Sequence, residues 1–221
     1  MTKTADLFPK AAGHIGTDES GKGDFFGPLV IAGFFCPDGQ EGVLTEIGVR
    51  DSKTISDKKA LDLAETLKKG YVHSVVAVGP EKYNELYAKF RNLNKLLAWG
   101  HARVIENILE RIDAGRAVTD QFGNESLVRQ ALMQKGRTID LEQRPRAESD
   151  PAVAAASILA RAEFLKRMAA LSREWGVALH KGAGPPVEAS AAAFLAKHGA
   201  EALGRVAKLH FKTTEKVLGR L

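Results

Sequence analysis

The stretch GHIGTDESGKGDFFGP, Gly13 to Pro28, holds two adjacent carboxylates, Asp18 and Glu19, with Lys22 three residues beyond and enclosed by Gly21 and Gly23. Glycines beside a lysine invite a phosphate, whereas two carboxylates repel one. Gly16, Gly21 and Lys22 match the G-x-x-x-x-G-K pattern of a nucleotide-binding loop, but such a loop needs Ser or Thr next and must open a helix. Here Gly23 follows, then Asp24, Phe25, Phe26, Gly27, Pro28 and the apolar run LVIAGFFC, so that reading fails. A solvated hairpin turn is the bland alternative. A third reading makes Asp18 and Glu19 ligands of divalent cations, hard ions that prefer oxygen donors and bridge protein to substrate phosphate. The charge conflict then disappears: the carboxylates hold metal, the metal attracts phosphate, and the glycines let the backbone approach a sugar while Lys22 neutralises a neighbouring phosphate.

Such a site needs more than two carboxylates. Adjacent residues on a strand point to opposite faces, so Asp18 and Glu19 can share a site only where the strand ends or twists. Further ligands should come from other element ends. Asp120 closes the apolar run AVTD, and Glu148 stands just before the helix start Asp150-Pro151. Asp caps the free N–H groups of a first turn, and proline's fixed φ suits the first helical position.

The elements that must position these groups read as α/β. Strands are expected from about His14 to Asp18 and over LVIAGFFC, and a third could lie between Gly42 and Val49, giving an antiparallel meander. Ser56 or Asp57 can cap a helix to about Lys69, followed by the strand YVHSVVAVG. A helix from about Asn92 to Ala114 carries Leu96, Leu97, Val104, Ile105, Ile108 and Leu109 at helical spacing, and the strand AVTD follows. Another helix, a strand near Arg137 to Glu142 and the helix from Asp150 to about Glu174 come next. In that helix Ile158, Ala162, Leu165 and Ala169 make the inner face, and Arg161 lies with Lys166 on the solvated side. After the loop HKGAGPP, residues 180 to 186, the chain closes on a basic helix from Lys208 to Arg220. Its Lys208, Lys212, Lys216 and Arg220 make either a nucleic-acid backbone contact or a plain solvated face. Trp99 and Trp175 read as packing, and His180 and His210 carry no catalytic role.

Of 221 residues, 44% are hydrophobic and 27% charged, an ordinary balance for one globular domain with a sizeable core. Lys and Arg exceed Asp and Glu by 32 to 27, which suits a polyanionic partner. The single cysteine, Cys36, sits in an apolar run and reads as core packing in a reducing compartment. No signal-peptide pattern or membrane-length apolar run is present, so a cytoplasmic protein without membrane contact is expected.

These residues resemble the type 2 ribonucleases H, most closely their HIII branch, along nearly the whole chain from Ile15. GTDESGKGDFFGP resembles the first carboxylate block of that family and RDSKTISD from Arg50 its Asp-Ser-Lys segment. YNELYAKFRNLNKLLAWGHARVIENIL from Tyr83, TDQFG around Asp120, AESDPAVAAASILAR from Ala147 and KLHFKTTEK from Lys208 follow in the family's order. The resemblance implies a ribonuclease H-like fold, with a mixed five-stranded sheet flanked by helices and a helical C-terminal extension. It implies a monomeric endoribonuclease that cuts the RNA strand of RNA/DNA hybrids using Mg²⁺ or Mn²⁺. Catalysis and metal binding would fall on Asp18, Glu19, Asp120 and Glu148, and substrate contacts on Gly21, Lys22, Gly23 and Lys53. The HII branch has aspartate where Glu148 stands, arginine where Lys22 stands, and Gly-Tyr-Gly where this chain reads Gly182-Ala183-Gly184. All three departures favour HIII. HIII members typically carry an extra N-terminal substrate-binding domain; here an arm, residues 1 to 13, precedes a catalytic domain from His14 to Leu221. The alternatives are an HII-like enzyme cutting at single ribonucleotides in DNA duplexes, and a hybrid-binding protein that does not cleave.

Overall fold

The computed structural model describes residues 11–121, 126–133 and 136–219. Five strands form one mixed sheet in the order β3-β2-β1-β4-β5. They are β1 (Gly13–Ser20), β2 (Leu29–Pro37), β3 (His73–Val78), β4 (Arg116–Asp120) and β5 (Asp140–Arg144). The first three run antiparallel as a meander, whereas β4 joins β1 in parallel with Thr17 opposite Thr119, and β5 extends the parallel half.

The third member of the meander is not the segment Gly42 to Val49. That segment contains helix α1 (Glu41–Glu46), of which Leu44 alone is buried while its neighbour Val43 is exposed, so no alternating strand face exists there. Helix α2 (Asp57–Gly70) starts on Ser56, whose hydroxyl accepts from the Lys59 amide. Helix α3 (Pro80–Phe90), unanticipated from the sequence, opens with proline in its first turn and packs Tyr83, Leu86, Tyr87 and Phe90 at helical spacing. Helix α4 (Leu93–Leu109) is capped by Asn92 and ends short of the expected Ala114. Helix α5 (Ser126–Ala131) precedes β5, which lies a few residues beyond its expected place because Gly136–Thr138 form a 3₁₀ turn.

Helix α6 (Pro151–Trp175) is the spine of one face. Its first half is all but enclosed, with Ala152 through Ala160 buried. Ile158 and Ala162 face inward as expected, but Ala169 is exposed and the inner row continues through Phe164 and Met168. Even-numbered residues of β2, Val30, Ala32, Phe34 and Cys36, pack in the core that holds α6. Odd-numbered Leu29, Ile31 and Phe35 pack against α4 on the opposite face. The same alternation governs β1, and it decides where Asp18 and Glu19 point.

Helices α7 (Pro185–His198) and α8 (Lys212–Leu218) close the chain, with α8 shorter than the expected Lys208-to-Arg220 helix. Lys208 is fully buried and cannot touch a nucleic acid, Lys216 pairs with Glu188 at 2.9 Å, and Arg220 lies outside the described residues. So do residues 1–10 of the arm and Phe122 and Gly123 of the TDQFG motif. Among the described residues no helix is long and apolar enough to cross a membrane.

Candidate active site

At the carboxyl ends of β1 and β4 the sheet opens into a cleft of about 520 Å³. Asp18, Glu19 and Asp120 line it together, as expected for ligand sites at strand ends of an α/β sheet. Asp18 lies on the α6 face, where it accepts a hydrogen bond from Ser157, and Glu19 lies on the α4 face beside His101. The termination of β1 at Ser20 brings both side chains of this opposed pair to one opening.

Their electrostatics differ. Burial, then the charges of Glu19 and Asp120, push the Asp18 carboxyl up to about 7, against the Ser157 hydrogen bond. Burial also opposes ionisation of Glu19, but the hydrogen bond and charge of His101, with Lys22 beyond, outweigh it and hold that carboxyl below its ordinary range. Asp120 is anchored by its neighbour in space: the Ala147 amide donates to Asp120 Oδ1 at 3.3 Å.

Glu148 lies in a 3₁₀ turn (Ala147–Ser149), one residue beyond that amide, and its side chain is not among those lining the cleft. The turn is fixed from behind. Asp150 caps α6 through the Ala152 amide at 2.9 Å and accepts from His14 Nε2 at 2.9 Å and from Arg144 at 3.1 Å. Burial raises the Asp150 pKa, yet His14 and the helix amides prevail and lower it.

The predicted substrate residues line the same cleft. Gly21 and Gly23 differ in kind. Gly21 has φ +87°, and a Cβ there would run into the Pro28 carbonyl and the Phe164 ring, so the turn itself requires glycine. A Cβ on Gly23 would meet nothing within 4 Å, so packing leaves its surface open. Lys22 reaches back to Glu19 at 3.1 Å, so its ammonium neutralises a carboxylate of the site where a phosphate had been expected. Lys53 lies in a 3₁₀ turn (Ser52–Thr54) whose Asp51 cap accepts from the Lys53 amide at 3.0 Å.

Four contributors escaped sequence reading. His101 is fully buried, with Nε2 3.2 Å from Glu19 Oε2 and Nδ1 2.8 Å from the Thr17 hydroxyl. Its spacing, four residues after Leu97 and four before Ile105, placed a polar ring on the apolar face of α4 and was the available signal. Ser157 joins Asp18 to the Ser52 hydroxyl at 2.7 Å. Arg161, expected in solvent, lines the cleft and donates to the carbonyls of Ser52 and Ile55 and to Asp57. Lys181 also lines it and pairs with Asp57 at 2.7 Å.

Half-buried oxygen donors that repel one another are a set that a hard divalent cation neutralises, so Asp18, Glu19 and Asp120 fit a Mg²⁺-type ion. Among the described residues no group of three or more acidic, imidazole or thiol side chains is already placed to hold a metal ion. A Mg²⁺-type ion takes a few protein carboxylates and completes its shell with water and substrate phosphate.

Known proteins resemble this chain along most of its length. Residues 15–214 match the family model described as Ribonuclease HII. The chain is 46% identical over 220 residues to the ribonuclease HIII of Protochlamydia amoebophila, covering 100% of this chain and 72% of that protein. It is 44% identical over 217 residues to the ribonuclease HIII of Chlamydia felis, covering 96% and 71%. A crystal structure of Bst-RNase HIII in complex with Mn²⁺ superposes with a TM-score of 0.87 at 32% identity, over 96% of this chain and 70% of that one. With its carboxylates gathered at the strand ends and its sheet superposing on these enzymes, the chain belongs to the type 2 ribonuclease H family, in the ribonuclease HIII branch.

Proposed function

We propose that Asp18, Glu19, Asp120 and Glu148 hold two divalent cations, Mg²⁺ or Mn²⁺, and that the cleft uses them to hydrolyse the RNA strand of RNA/DNA hybrids. The observation that carries this reading is Asp18, buried between the like charges of Glu19 and Asp120 at the mouth of the cleft. When bound, a pair of such ions activates water and neutralises the leaving 3′ oxygen, giving 5′-phosphate and 3′-hydroxyl ends.

The chain's own groups do the rest. Asp18, between two carboxylates, would be held there as the central ligand of the set. His101 and Lys22 keep Glu19 ionised and oriented. Ser157 supports Asp18, and the Ala147 amide keeps Asp120 aimed. Gly23, open to solvent on its Cα face, lets the backbone approach the 2′-hydroxyl that separates RNA from DNA. Lys53 stands on the cleft wall for the phosphate next to the cut.

A labelled RNA/DNA hybrid incubated with Mg²⁺ or Mn²⁺ tests the reading. Strand scission with 5′-phosphate products is expected, and Asp120→Asn should still bind hybrid but cut it far more slowly. Binding without scission in either metal would overturn it in favour of a non-cleaving hybrid binder. A duplex with one ribonucleotide should be cut poorly, because the turn where HII enzymes place a tyrosine reads Gly182-Ala183-Gly184; cutting it as fast as the long hybrid would assign HII-like specificity instead.

A further inference from the structure

Lys208 is a lysine with no exposed surface, in a segment whose composition reads as basic exterior. Its Nζ donates to the carbonyl oxygens of Asp24 at 2.7 Å, Gly27 at 2.8 Å and Phe26 at 3.3 Å. Three acceptors match the three protons of an ammonium, and a neutral amine could satisfy only two of them. The Tyr83 ring covers the group at 5.7 Å. The surrounding backbone adds its own ties, from the Lys208 amide to Phe25 O at 2.8 Å and from the Gly27 amide to Val206 O at 2.9 Å.

Segment 24–27 is also tied on its other side. Asp24 Oδ1 accepts from the Gly182 amide at 2.6 Å, and the Phe25 amide donates to Gly182 O at 2.8 Å. Gly21, Lys22 and Gly23 lead directly into this segment, Lys181 leads into Gly182, and all four line the cleft. The two cleft-lining loops are therefore connected through one short segment whose carbonyls converge on one buried nitrogen.

We propose that Lys208 is a positioning residue for hybrid binding: its ammonium locks loops 21–24 and 181–184 into one rigid frame whose gap fits the substrate backbone. Burying a charge is costly unless its hydrogen bonds are complete, and a single conformation of segment 24–27 completes them. Any other leaves an ammonium or three carbonyls unpaired. Gly21, Gly23 and Gly27 give the loop little stiffness of its own, so the fixed shape must be imposed from outside. Burial, opposed by Asp24, draws the Lys208 pKa down to about 7, whereas the three carbonyl acceptors favour the charged amine, so the frame is complete below that pH.

The proposal rests on the reading that loop 21–23 meets the hybrid, and the test separates the two. Lys208→Met keeps the length and apolar stem but removes the donors. Asp24→Ala unhooks Gly182 while leaving the Asp24 carbonyl for Lys208, and it serves alone if the methionine variant does not fold. Amide exchange of residues 21–27 and 181–184, Mn²⁺ binding by calorimetry, and KM and kcat on a long hybrid are measured on the full chain. In both variants we expect loop exchange to quicken and KM to rise about tenfold, the scale of one to two lost hydrogen bonds. Mn²⁺ affinity and kcat should hold within about twofold of wild type, because Asp18, Glu19 and Asp120 stand on strand ends outside the frame and buried His101 still holds Glu19 when Lys22 loosens with its loop. Unchanged loop exchange overturns the frame alone. Faster exchange with unchanged KM overturns the role of loop 21–23 in binding, and the proposal with it. A parallel loss of Mn²⁺ affinity, kcat and melting temperature also overturns it, since Lys208 would then be a staple of the whole fold.

Discussion

His101 Nε2 lies 3.2 Å from Glu19 Oε2, inside the protein, where helix α4 crosses beneath the paired threonines of β1 and β4. With Nε2 donating to the carboxylate, Nδ1 on the other side of the ring meets the hydroxyls of Thr17 at 2.8 Å and Thr119 at 3.2 Å. One ring thus sets the direction of a proposed metal ligand from a helix that contributes no ligand itself.

His101→Leu should therefore damage the site more than the fold. Partners that orient metal ligands are worth about 10–100-fold in affinity or activity when removed. We expect Mn²⁺ binding, followed by calorimetry, to weaken by about tenfold or more, with kcat falling alongside. His101→Asn, which retains one donor, should recover part of both. Wild-type Mn²⁺ affinity in the leucine variant would remove His101 from the site.

Asp18 gives a pH-dependent signature in the metal-free protein. An acid whose folded pKa stands above its unfolded value binds its proton more readily when folded, so its contribution to stability declines as pH rises from 3.8 through about 7. Above that window the folded protein carries the full penalty of a buried, repelled carboxylate. Asp18→Asn removes the penalty, and with EDTA at pH 8 the variant should melt roughly 3–6 °C above wild type. The gain should shrink at pH 5, where wild-type Asp18 is largely protonated. Thermal melts at both pH values check this, and an equal shift at each would refute the electrostatic cause.

The two glycines of the substrate loop should separate in the same kind of experiment. Gly21→Ala forces a Cβ into the Pro28 carbonyl and the Phe164 ring at φ +87°, and should lower the melting temperature by several degrees. Gly23→Ala meets open space and should leave stability within about 0.5 kcal/mol of wild type, the range of an inert surface change. If backbone approach to the sugar is the role of Gly23, its KM for hybrid should nonetheless rise. An unchanged KM would assign the 2′-hydroxyl contact elsewhere.

Most of the sheet, and the meeting of Asp18, Glu19 and Asp120 at strand ends, were legible because their signals are local. A run such as LVIAGFFC is apolar on both faces because β2 is covered on both, and the Asp150-Pro151 pair marks the start of α6 directly. Segment 42–49 misled because Val43 and Leu44 are apolar without strand alternation, and one buried leucine was enough to seat a short helix. The supporting groups were hidden for another reason. Lys208 and Arg161 look like solvent residues by type, and the carbonyls that bury them come from segments more than a hundred residues distant in sequence. No periodicity encodes such a meeting, and the partners of Lys208 and of Lys22 became apparent only once the chain was folded.

Lys53 and Lys181 share a cleft wall but not a charge state of their surroundings. Among the described residues Lys53 enters no ion pair, whereas Lys181 is held by Asp57 at 2.7 Å, with Arg161 on the same carboxylate at 2.6 Å. A lysine that binds phosphate releases a counterion, and its removal lowers the slope of log affinity against log salt by about one. Lys53→Ala should show that full change in a salt titration of hybrid binding. Lys181→Ala should show less, since Asp57 already compensates its charge and phosphate must displace that carboxylate to gain the contact. Equal slopes for the two variants would mean that Asp57 releases Lys181 whenever substrate arrives, making the ion pair a resting contact of the empty cleft.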